Sequence, residues 1–247
     1  MIEGAHVAVV VPAYNEESLI GRTVQTIPDY VDDIWIVDDG SRDQTFEIAK
    51  GFTSNRVHLV RHGRNRGVGA AIATGYAKAF AMGSDAVAVM AGDAQMDPAD
   101  LEGLFRPVLL GQADYAKGNR LAHPQSRRAM PVARWIGNHV LSTLTRLCTG
   151  LHIGDSQCGY TVLSRRAFER LQLEQLWPRY GYPNDLLAMA GRAELRVMDV
   201  TVRPIYGTEK SGVGPRHALF VVPWILLRAV LRRRSPRFAR TEPVPDR

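Results

Sequence analysis

Cysteine is scarce in this chain: Cys148 and Cys158 are the only two among 247 residues. Two cysteines supply neither a disulfide framework nor a zinc ligand set. Each is expected to behave as a small apolar side chain in a reduced protein. No charged and apolar leader precedes the first predicted strand, so we also expect no secretory signal and a cytoplasmic location.

Long hydrophobic runs are also missing. Residues 218–227 are apolar, but Arg228 interrupts the run and Arg232–Arg234 follow soon after. A membrane-spanning helix needs about 20 apolar residues. An apolar segment beside a basic one is instead typical of a peripheral anchor on an anionic membrane surface, here the cytoplasmic face. The alternative is a C-terminal helix that docks on its own core or on a second subunit, and the oligomeric state stays open.

The positive charge is concentrated at one end of the chain. Residues 216–247 hold eight of the 31 basic and two of the 25 acidic residues, which leaves 23 of each elsewhere. The net charge of +6 therefore describes the tail, and a nucleic-acid-binding surface on the rest loses its support. We predict one folded domain over 1–215 and an apolar, basic segment over 216–247 whose end is disordered.

Buried strands and helices alternate in the first hundred residues. Mainly apolar runs at 6–12, 34–37, 57–60 and 86–90 predict buried strands, the first of them covered on both faces. Helical spacing at 17–27 and 66–82 separates some of these runs, and 132–149 forms a later amphipathic helix. The alternation predicts an α/β fold with a mostly parallel, doubly wound sheet.

Oxygen-bearing side chains follow the fourth predicted strand. Residues 92–98 read Gly-Asp-Ala-Gln-Met-Asp-Pro. Carboxylate and amide oxygens suit Mg²⁺ or Mn²⁺, which usually keeps open positions for phosphate oxygens. The alternative is a polar turn in which Asp97 caps the next helix and Pro98 takes its first position. Both hold at once if Asp97 caps while Asp93 binds the ion.

Two other strand ends carry candidate binding residues. Asp38 and Asp39 stand before Gly40 and Ser41, where an acid can accept hydrogen bonds from a base or ribose, or can simply form an Asx turn. Tyr14, after the first strand, can stack on a base or pack at the rim. Further on, residues 65–69 lack the lysine of a phosphate-binding loop, so close packing at a helix start is the favoured role of their two glycines.

Taken together, these motifs resemble the family-two glycosyltransferases of the GT-A fold, in the branch of the dolichyl-phosphate mannose and glucose synthases. The resemblance covers about residues 5–211. It rests on five ordered motifs, which are Val11–Glu17, Val37–Ser41 with Asp43 and Thr45, Gly92–Pro98, Gly118–Arg120 and Asp155–Tyr160.

The resemblance implies a role for each matching residue. A nucleotide-diphosphate sugar would be held by Pro12, Tyr14, Glu16, Asp38, Asp39, Asp93, Ala94, Gln95, Arg120 and Lys210. Asp93 and Gln95 would hold the metal ion, and Lys210 belongs to a late loop over the diphosphate. The chain departs from the pattern at Ala91, where many relatives carry the first aspartate of the metal motif.

The implied reaction is an inverting transfer of a hexose from GDP-mannose or UDP-glucose to a polyprenyl or dolichyl phosphate. Asp93, Arg120, Asp155 and Asp185 are the predicted catalytic residues. A hydroxyl acceptor would need Asp185 or Asp155 as general base, whereas an ionised phosphate would not, and both acids would then position other groups. Transfer to a soluble or polysaccharide hydroxyl is the first alternative. A non-catalytic nucleotide-binding protein is the second.

Overall fold

The computed structural model describes residues 2, 4–206, 221, 223–225, 227 and 228. The strands in this part of the chain are β1 (Val7–Ala13), β2 (Asp33–Asp38), β3 (Val57–Arg61), β4 (Ala86–Val89), β5 (Tyr115–Asn119), β6 (Thr161–Ser164) and β7 (Val197–Thr201). The helices are α1 (Ile20–Thr26), α2 (Thr45–Lys50), α3 (Val68–Ala81), α4 (Leu101–Leu109), α5 (Ser126–Ala129), α6 (Val132–Thr149), α7 (Arg165–Arg170) and α8 (Tyr182–Arg192). The predicted α/β class is confirmed.

The strands form one sheet in the order β3-β2-β1-β4-β6-β5-β7. Strand β6 runs antiparallel to its neighbours β4 and β5, and the other pairs are parallel. Ala13 pairs with Asp38 at the ends of β1 and β2, and Val10 pairs with Val89 on β4. The carboxyl ends of these three strands therefore meet at one edge of the sheet, where α/β folds bind ligands.

Each face of the sheet has its own apolar core. Val9 and Val11 point to the face covered by α1 and α4, while Ala8 and Val10 point to the face covered by α3 and α8. Because both faces are buried, β1 is apolar at every position from Val7 to Val11. The sheet is thus a rigid support for the loops at its carboxyl edge.

Several helix boundaries differ from the prediction. Helices α1 and α3 begin at Ile20 and Val68, inside the predicted spans 17–27 and 66–82. Helix α7 begins at Arg165, where the Ser164 hydroxyl caps the Ala167 amide, and a separate 3-10 turn follows at Leu173–Gln175. Before α4, the Asp97 carboxylate accepts from the Ala99 amide with Pro98 at the first position, as predicted. Within the described residues, no helix combines the length and the apolar character needed to cross a bilayer.

The predicted anchor at 216–247 lies outside the described residues, apart from 221, 223–225, 227 and 228. Among these, Ile225 is fully buried, and its Cδ1 lies 2.6 Å from where a Cβ on Gly181 would be. Trp224 and Leu227 are exposed. The described part of this segment therefore packs beside the residue that precedes α8.

Candidate active site

The loop after β1 is joined to the loop after β2 by hydrogen bonds. The Asn15 amide donates to Ser41 Oγ at 3.0 Å, and the Glu16 amide donates to Thr45 Oγ1 at 2.7 Å. Pro12 is buried at the end of the strand, whereas Tyr14 is 37% exposed. The sequence-predicted nucleoside residues of the two loops are therefore neighbours, and the Tyr14 ring is open to a ligand.

Asp38 and Asp39 are both buried and both bonded to protein groups. Asp38 pairs with Arg61, whose Nε lies 3.1 Å from Oδ2. Asp39 lies 2.7 Å from His62 Nδ1 and accepts from the amides of Arg66 and Gly67. The carboxylate of Asp39 thus fixes the segment between β3 and α3, and a direct bond from it to a nucleoside stays a prediction.

A cleft of about 350 Å³ opens beside this turn, lined by Gly40, Ser41, Arg61, His62 and Gly63. Gly40 has a φ of +73°, and a Cβ there would lie 2.7 Å from the Arg64 carbonyl carbon. An L side chain would therefore strain the turn and also strike the backbone. The turn keeps a glycine because both its shape and its surroundings require one.

The two glycines at the start of α3 have the predicted close-packing role, and their packing partner is the segment before α8. A Cβ on Gly67 would lie 2.3 Å from the Pro178 carbonyl oxygen, and one on Gly69 would lie 2.2 Å from that of Trp177. The Pro178 oxygen also accepts from the amides of Gly69 and Ala70. These helix N-terminal amides are therefore bonded to protein and not offered to phosphate.

Asp93 lies in a tight turn that continues the line of β4. The amide of Gly92 donates to the Pro12 oxygen at 3.1 Å, so this turn stays beside the end of β1. Asp93 Oδ1 accepts from the Gln95 amide at 3.1 Å, and Ala94 between them has a φ of +54°. A left-handed alanine costs about 1 kcal/mol, and such strain is often found at functional sites. The turn holds the Asp93 carboxylate at the edge of the sheet.

Two tyrosines connect Asp93 to the rest of the site. Burial, and next the negative charges of Asp93 and Glu16, raise the pKa of the Tyr180 phenol. The pKa of Tyr182 is raised chiefly by burial, and the charges of Asp93 and Arg120 act on it in opposite directions. Asp93 thus lies within electrostatic reach of both phenols, Glu16 within reach of Tyr180 and Arg120 within reach of Tyr182.

Arg120 and Asp155 form a two-point ion pair behind these tyrosines. Arg120 Nε lies 2.7 Å from Oδ2 and Nη2 lies 3.1 Å from Oδ1, while Asp155 is fully buried. Burial alone would raise the pKa of Asp155, but the charge and hydrogen bonds of Arg120 outweigh it and lower the pKa. Asp155 is therefore a carboxylate that orients the guanidinium of Arg120.

A second arginine approaches the same place from α6. The guanidinium of Arg134 lies 5.2 Å from the centroid of the Tyr206 ring. Burial raises the pKa of the Tyr206 phenol, and the positive charges of Arg120 and Arg134 partly offset that rise. Arg134 was not among the predicted site residues. The signal that marks it is the absence of any aspartate or glutamate between Asp114 and Asp155.

Asp185 lies inside the first turn of α8, because the helix begins at Tyr182 after Gly181 and not at Asp185 itself. Its side chain is buried and does not cap the helix. Asp185 Oδ2 accepts instead from the Trp177 amide at 2.8 Å, which holds the segment that carries Tyr180. Lys210, the remaining predicted residue, lies outside the described part of the chain.

The oxygen donors at the end of β4 fit a hard cation that is bound mainly by its substrate. No group of three or more His, Cys, Asp or Glu side chains suited to a metal lies within the described residues. Asp93 would contribute one carboxylate and Gln95 one amide. Such a set suits Mg²⁺ or Mn²⁺ that takes its other ligands from phosphate and water. It does not suit a structural ion held by protein alone.

Comparison with known proteins defines first the class and then the family. The chain has the GT-A fold. It aligns with glucosyl-3-phosphoglycerate synthase from Mycobacterium tuberculosis, a structure solved with Mn²⁺, UDP and glucosyl-3-phosphoglycerate. The TM-score is 0.65 and the sequence identity 22%, and the alignment covers 93% of this chain and 80% of that one. Residues 8–172 match Glycosyl transferase family 2. The chain belongs to this family and is a glycosyltransferase.

Two curated relatives have similar lengths. The chain is 32% identical to UDP-N-acetylglucosamine–dolichyl-phosphate N-acetylglucosaminyltransferase of Methanococcus voltae, over 82% of this chain and 86% of the relative. It is 29% identical to polyprenol monophosphomannose synthase of Mycolicibacterium smegmatis, over 87% and 84%. The resemblance drawn from the sequence motifs is therefore confirmed at the level of the family and its lipid-phosphate branch.

Proposed function

We propose that this enzyme transfers a sugar from a nucleotide diphosphate to a polyprenyl or dolichyl phosphate, with inversion at the anomeric carbon. The names of the two relatives share the lipid-phosphate class of acceptor and differ in the sugar. The acceptor class is thus better supported than the donor. GDP-mannose and UDP-glucose remain the predicted donors, and the Methanococcus relative adds UDP-N-acetylglucosamine to those worth testing.

The observation that carries the proposal concerns Asp155 and Asp185, the two candidates for a general base. Both carboxylates are already bonded to protein groups. Asp155 is paired with Arg120 and has a lowered pKa. Asp185 is buried and bonded to the Trp177 amide. A hydroxyl acceptor needs a base to remove its proton, whereas a phosphate monoester is already ionised near neutral pH. The arrangement favours a phosphate acceptor.

Positive charge is available for that acceptor and for the leaving group. Arg134 lies over the Tyr206 ring, Arg120 acts electrostatically on the same phenol, and Arg120 is held by Asp155. Preorganised cations of this kind stabilise charge that develops on phosphate oxygens. In the proposed step an acceptor phosphate oxygen forms a bond to C1 of the sugar. The bond from C1 to the diphosphate breaks, and the nucleoside diphosphate leaves.

The donor would lie along the carboxyl edge of the sheet. Tyr14 would stack on the base beside the cleft next to Ser41, with Glu16 and the turn of Asp38 and Asp39 nearby. Asp93 and Gln95 would hold Mg²⁺ or Mn²⁺ on the diphosphate. That ion, when bound, would neutralise charge on the leaving group.

The membrane surface is the proposed location of the acceptor, with the segment 216–247 as a peripheral anchor on the cytoplasmic face. Eight arginines against two acids in this segment attract anionic lipid by about 1 kcal/mol per residue near the surface. Removal of 218–247 is expected to weaken binding to liposomes. Undiminished binding would contradict the anchor assignment.

The test of the activity uses labelled UDP- and GDP-sugars with Mg²⁺ or Mn²⁺ and polyprenyl phosphate. Label that enters the organic phase with the native protein, and not with Asp93→Asn, supports the proposal. Label found only on a water-soluble acceptor supports transfer to a hydroxyl. Binding of nucleotide without transfer under all these conditions contradicts both forms of the proposal.

A further inference from the structure

Helix α6 has its polar side turned toward the protein and its apolar side turned outward. The side chains that it buries are Asn138, Ser142, Thr145 and Thr149. The side chains that it exposes, by 40% to 76%, are Val132, Ile136, Val140, Leu144 and Leu147. These five recur every three or four residues and so form one stripe along a helix about 27 Å long.

The inward polar side is fully used by the fold. Ser142 Oγ accepts from the Ser156 amide at 2.9 Å, and Thr145 Oγ1 donates to Asn184 Oδ1 at 2.9 Å on α8. Helix α6 therefore cannot rotate its apolar side inward without breaking these hydrogen bonds. The orientation is opposite to that of an ordinary surface helix, which buries its apolar stripe.

The charged residues in this stretch of the chain have one sign. No aspartate or glutamate occurs between Asp114 and Asp155, and Arg127, Arg128, Arg134 and Arg146 lie on or next to α6. An exposed apolar stripe of this extent marks a surface that contacts another apolar phase. The flanking arginines select a partner that is anionic at its surface.

We propose that α6 lies in the plane of an anionic lipid bilayer, with the stripe from Val132 to Leu147 among the acyl chains and the arginines at the level of the headgroups. A lipid surface supplies both the apolar phase and the negative charge. A second copy placed on the stripe would bring two sets of four arginines together with no carboxylate from either helix. The tail at 216–247 does not suit the stripe either, because it is also rich in arginine and its described Ile225 packs at Gly181.

The docking itself does not depend on the proposed reaction, but its consequence for catalysis rests on that proposal. Arg134 extends from the first turns of α6 to the Tyr206 ring at the active site. A bilayer that receives the stripe would place its surface beside Arg134 and Arg120. The phosphate of a lipid acceptor would then reach the site while its chain remained in the bilayer.

The test measures co-sedimentation of the full chain with phosphatidylcholine vesicles, with and without phosphatidylglycerol. The variant Ile136→Asp/Leu144→Asp is expected to lose affinity by at least about tenfold, since two charges would enter the apolar phase. The matched control is Met82→Asp/Leu110→Asp, because these residues are 54% and 51% exposed at the other edge of the sheet. The control is expected to bind as the native protein does.

A second variant tests the charge. Arg127→Gln/Arg128→Gln/Arg146→Gln is expected to lose about fivefold in affinity per arginine for vesicles with phosphatidylglycerol, and little for those without. If the aspartate variant does not fold, as judged by circular dichroism, Leu147→Ser at the most exposed position makes the same comparison.

Three results would overturn the inference: native protein that does not bind either vesicle, α6 variants that bind as tightly as the native protein, or a native dimer that the α6 aspartates convert to monomers. Failure of the proposed function gives a different result. The protein would then bind vesicles through α6 but transfer no sugar to polyprenyl phosphate in detergent. If both proposals hold, the α6 variants keep activity in detergent and lose it with acceptor in vesicles.

Discussion

Arg120 and Asp155 meet through two parallel contacts, Nε to Oδ2 at 2.7 Å and Nη2 to Oδ1 at 3.1 Å. The pair joins the residue after β5 to the loop before β6, and the carboxylate is fully buried. The Arg120 side chain is 21% exposed, so the pair holds a positive charge in a fixed position close to the surface of the site.

Loss of the carboxylate is expected to destabilise the protein in a way that depends on pH. At neutral pH, Asp155→Asn should lower the free energy of unfolding by about 2–4 kcal/mol, because Arg120 loses its buried partner. The folded-state pKa of Asp155 lies below its ordinary value. Its stabilisation is therefore present above about pH 4 and is lost as the pH falls through the lowered pKa.

Urea unfolding at neutral pH and at about pH 3 measures the free energy of unfolding of both proteins. The difference in this free energy between the native protein and Asp155→Asn should be smaller in acid. Asp29→Asn is the control, since Asp29 is fully exposed in its ion pair with Arg56 and should change stability little at either pH. A gap that stays constant with pH would show that the ionised form of Asp155 contributes nothing.

Asp93→Asn is expected to reduce turnover by about 10²- to 10³-fold, because it removes the carboxylate that we propose holds the cation on the diphosphate. The asparagine oxygen still accepts from the Gln95 amide, so the turn and the melting temperature should change little. Initial rates at several Mg²⁺ and Mn²⁺ concentrations make the measurement.

The matched control for this variant is Asp97→Asn. Asp97 lies in the same loop, but it accepts from the Ala99 amide and pairs with Arg203. Its replacement should leave turnover within a few-fold of native. The free energy of unfolding should fall by less than about 1 kcal/mol, because asparagine caps a helix about as well as aspartate and only the exposed ion pair with Arg203 is lost. Equal losses of turnover in the two variants would argue against a specific role for Asp93.

Replacement by alanine should change the stability of the protein in opposite directions at two glycines that both lie within helices. Gly69→Ala is expected to destabilise the protein by about 1–3 kcal/mol, since the Cβ would lie 2.2 Å from the Trp177 oxygen. Gly137→Ala on α6 meets nothing within 4 Å and should stabilise by about 0.5–1 kcal/mol. Thermal unfolding measures the melting temperatures of the two variants. A change in the same direction in both would contradict the packing of α3 on residues 177–178.

Tyr14→Ala is expected to raise KM for the nucleotide sugar by about three- to tenfold with little change in kcat, because we propose that its exposed ring stacks on the base. Tyr14→Phe keeps the ring and should behave as the native enzyme. Since Tyr14 is an exposed side chain, both variants should unfold at the native temperature. An unchanged KM in Tyr14→Ala would indicate rim packing alone.

Much of the sheet and the strand-end motifs could be predicted from the sequence. Strands buried on both faces are apolar along most of their length, so β1, β4 and the centre of β2 stand out in the sequence as short apolar runs. Parallel strands bring their carboxyl ends to one edge, which is why Asp39 and Asp93 could be assigned to the same side of the molecule.

The partners of the site residues could not be predicted in the same way. Asp39 binds His62 and the amides that follow Asn65, and Gly67 packs on Pro178, more than a hundred residues further along the chain. No local pattern encodes such distant contacts. The sequence predicted possible hydrogen-bond acceptors, and the fold determined which donors reached them.

Helix α6 shows most clearly which features the sequence determined and which the tertiary structure determined. Its sequence alone determined that one side is apolar and the other polar, because the pattern has the period of a helix. Only the tertiary structure decided which side faces outward. Ser142 and Thr145 find hydrogen-bond partners at Ser156 and Asn184, so the polar side is buried and the apolar side is left at the surface.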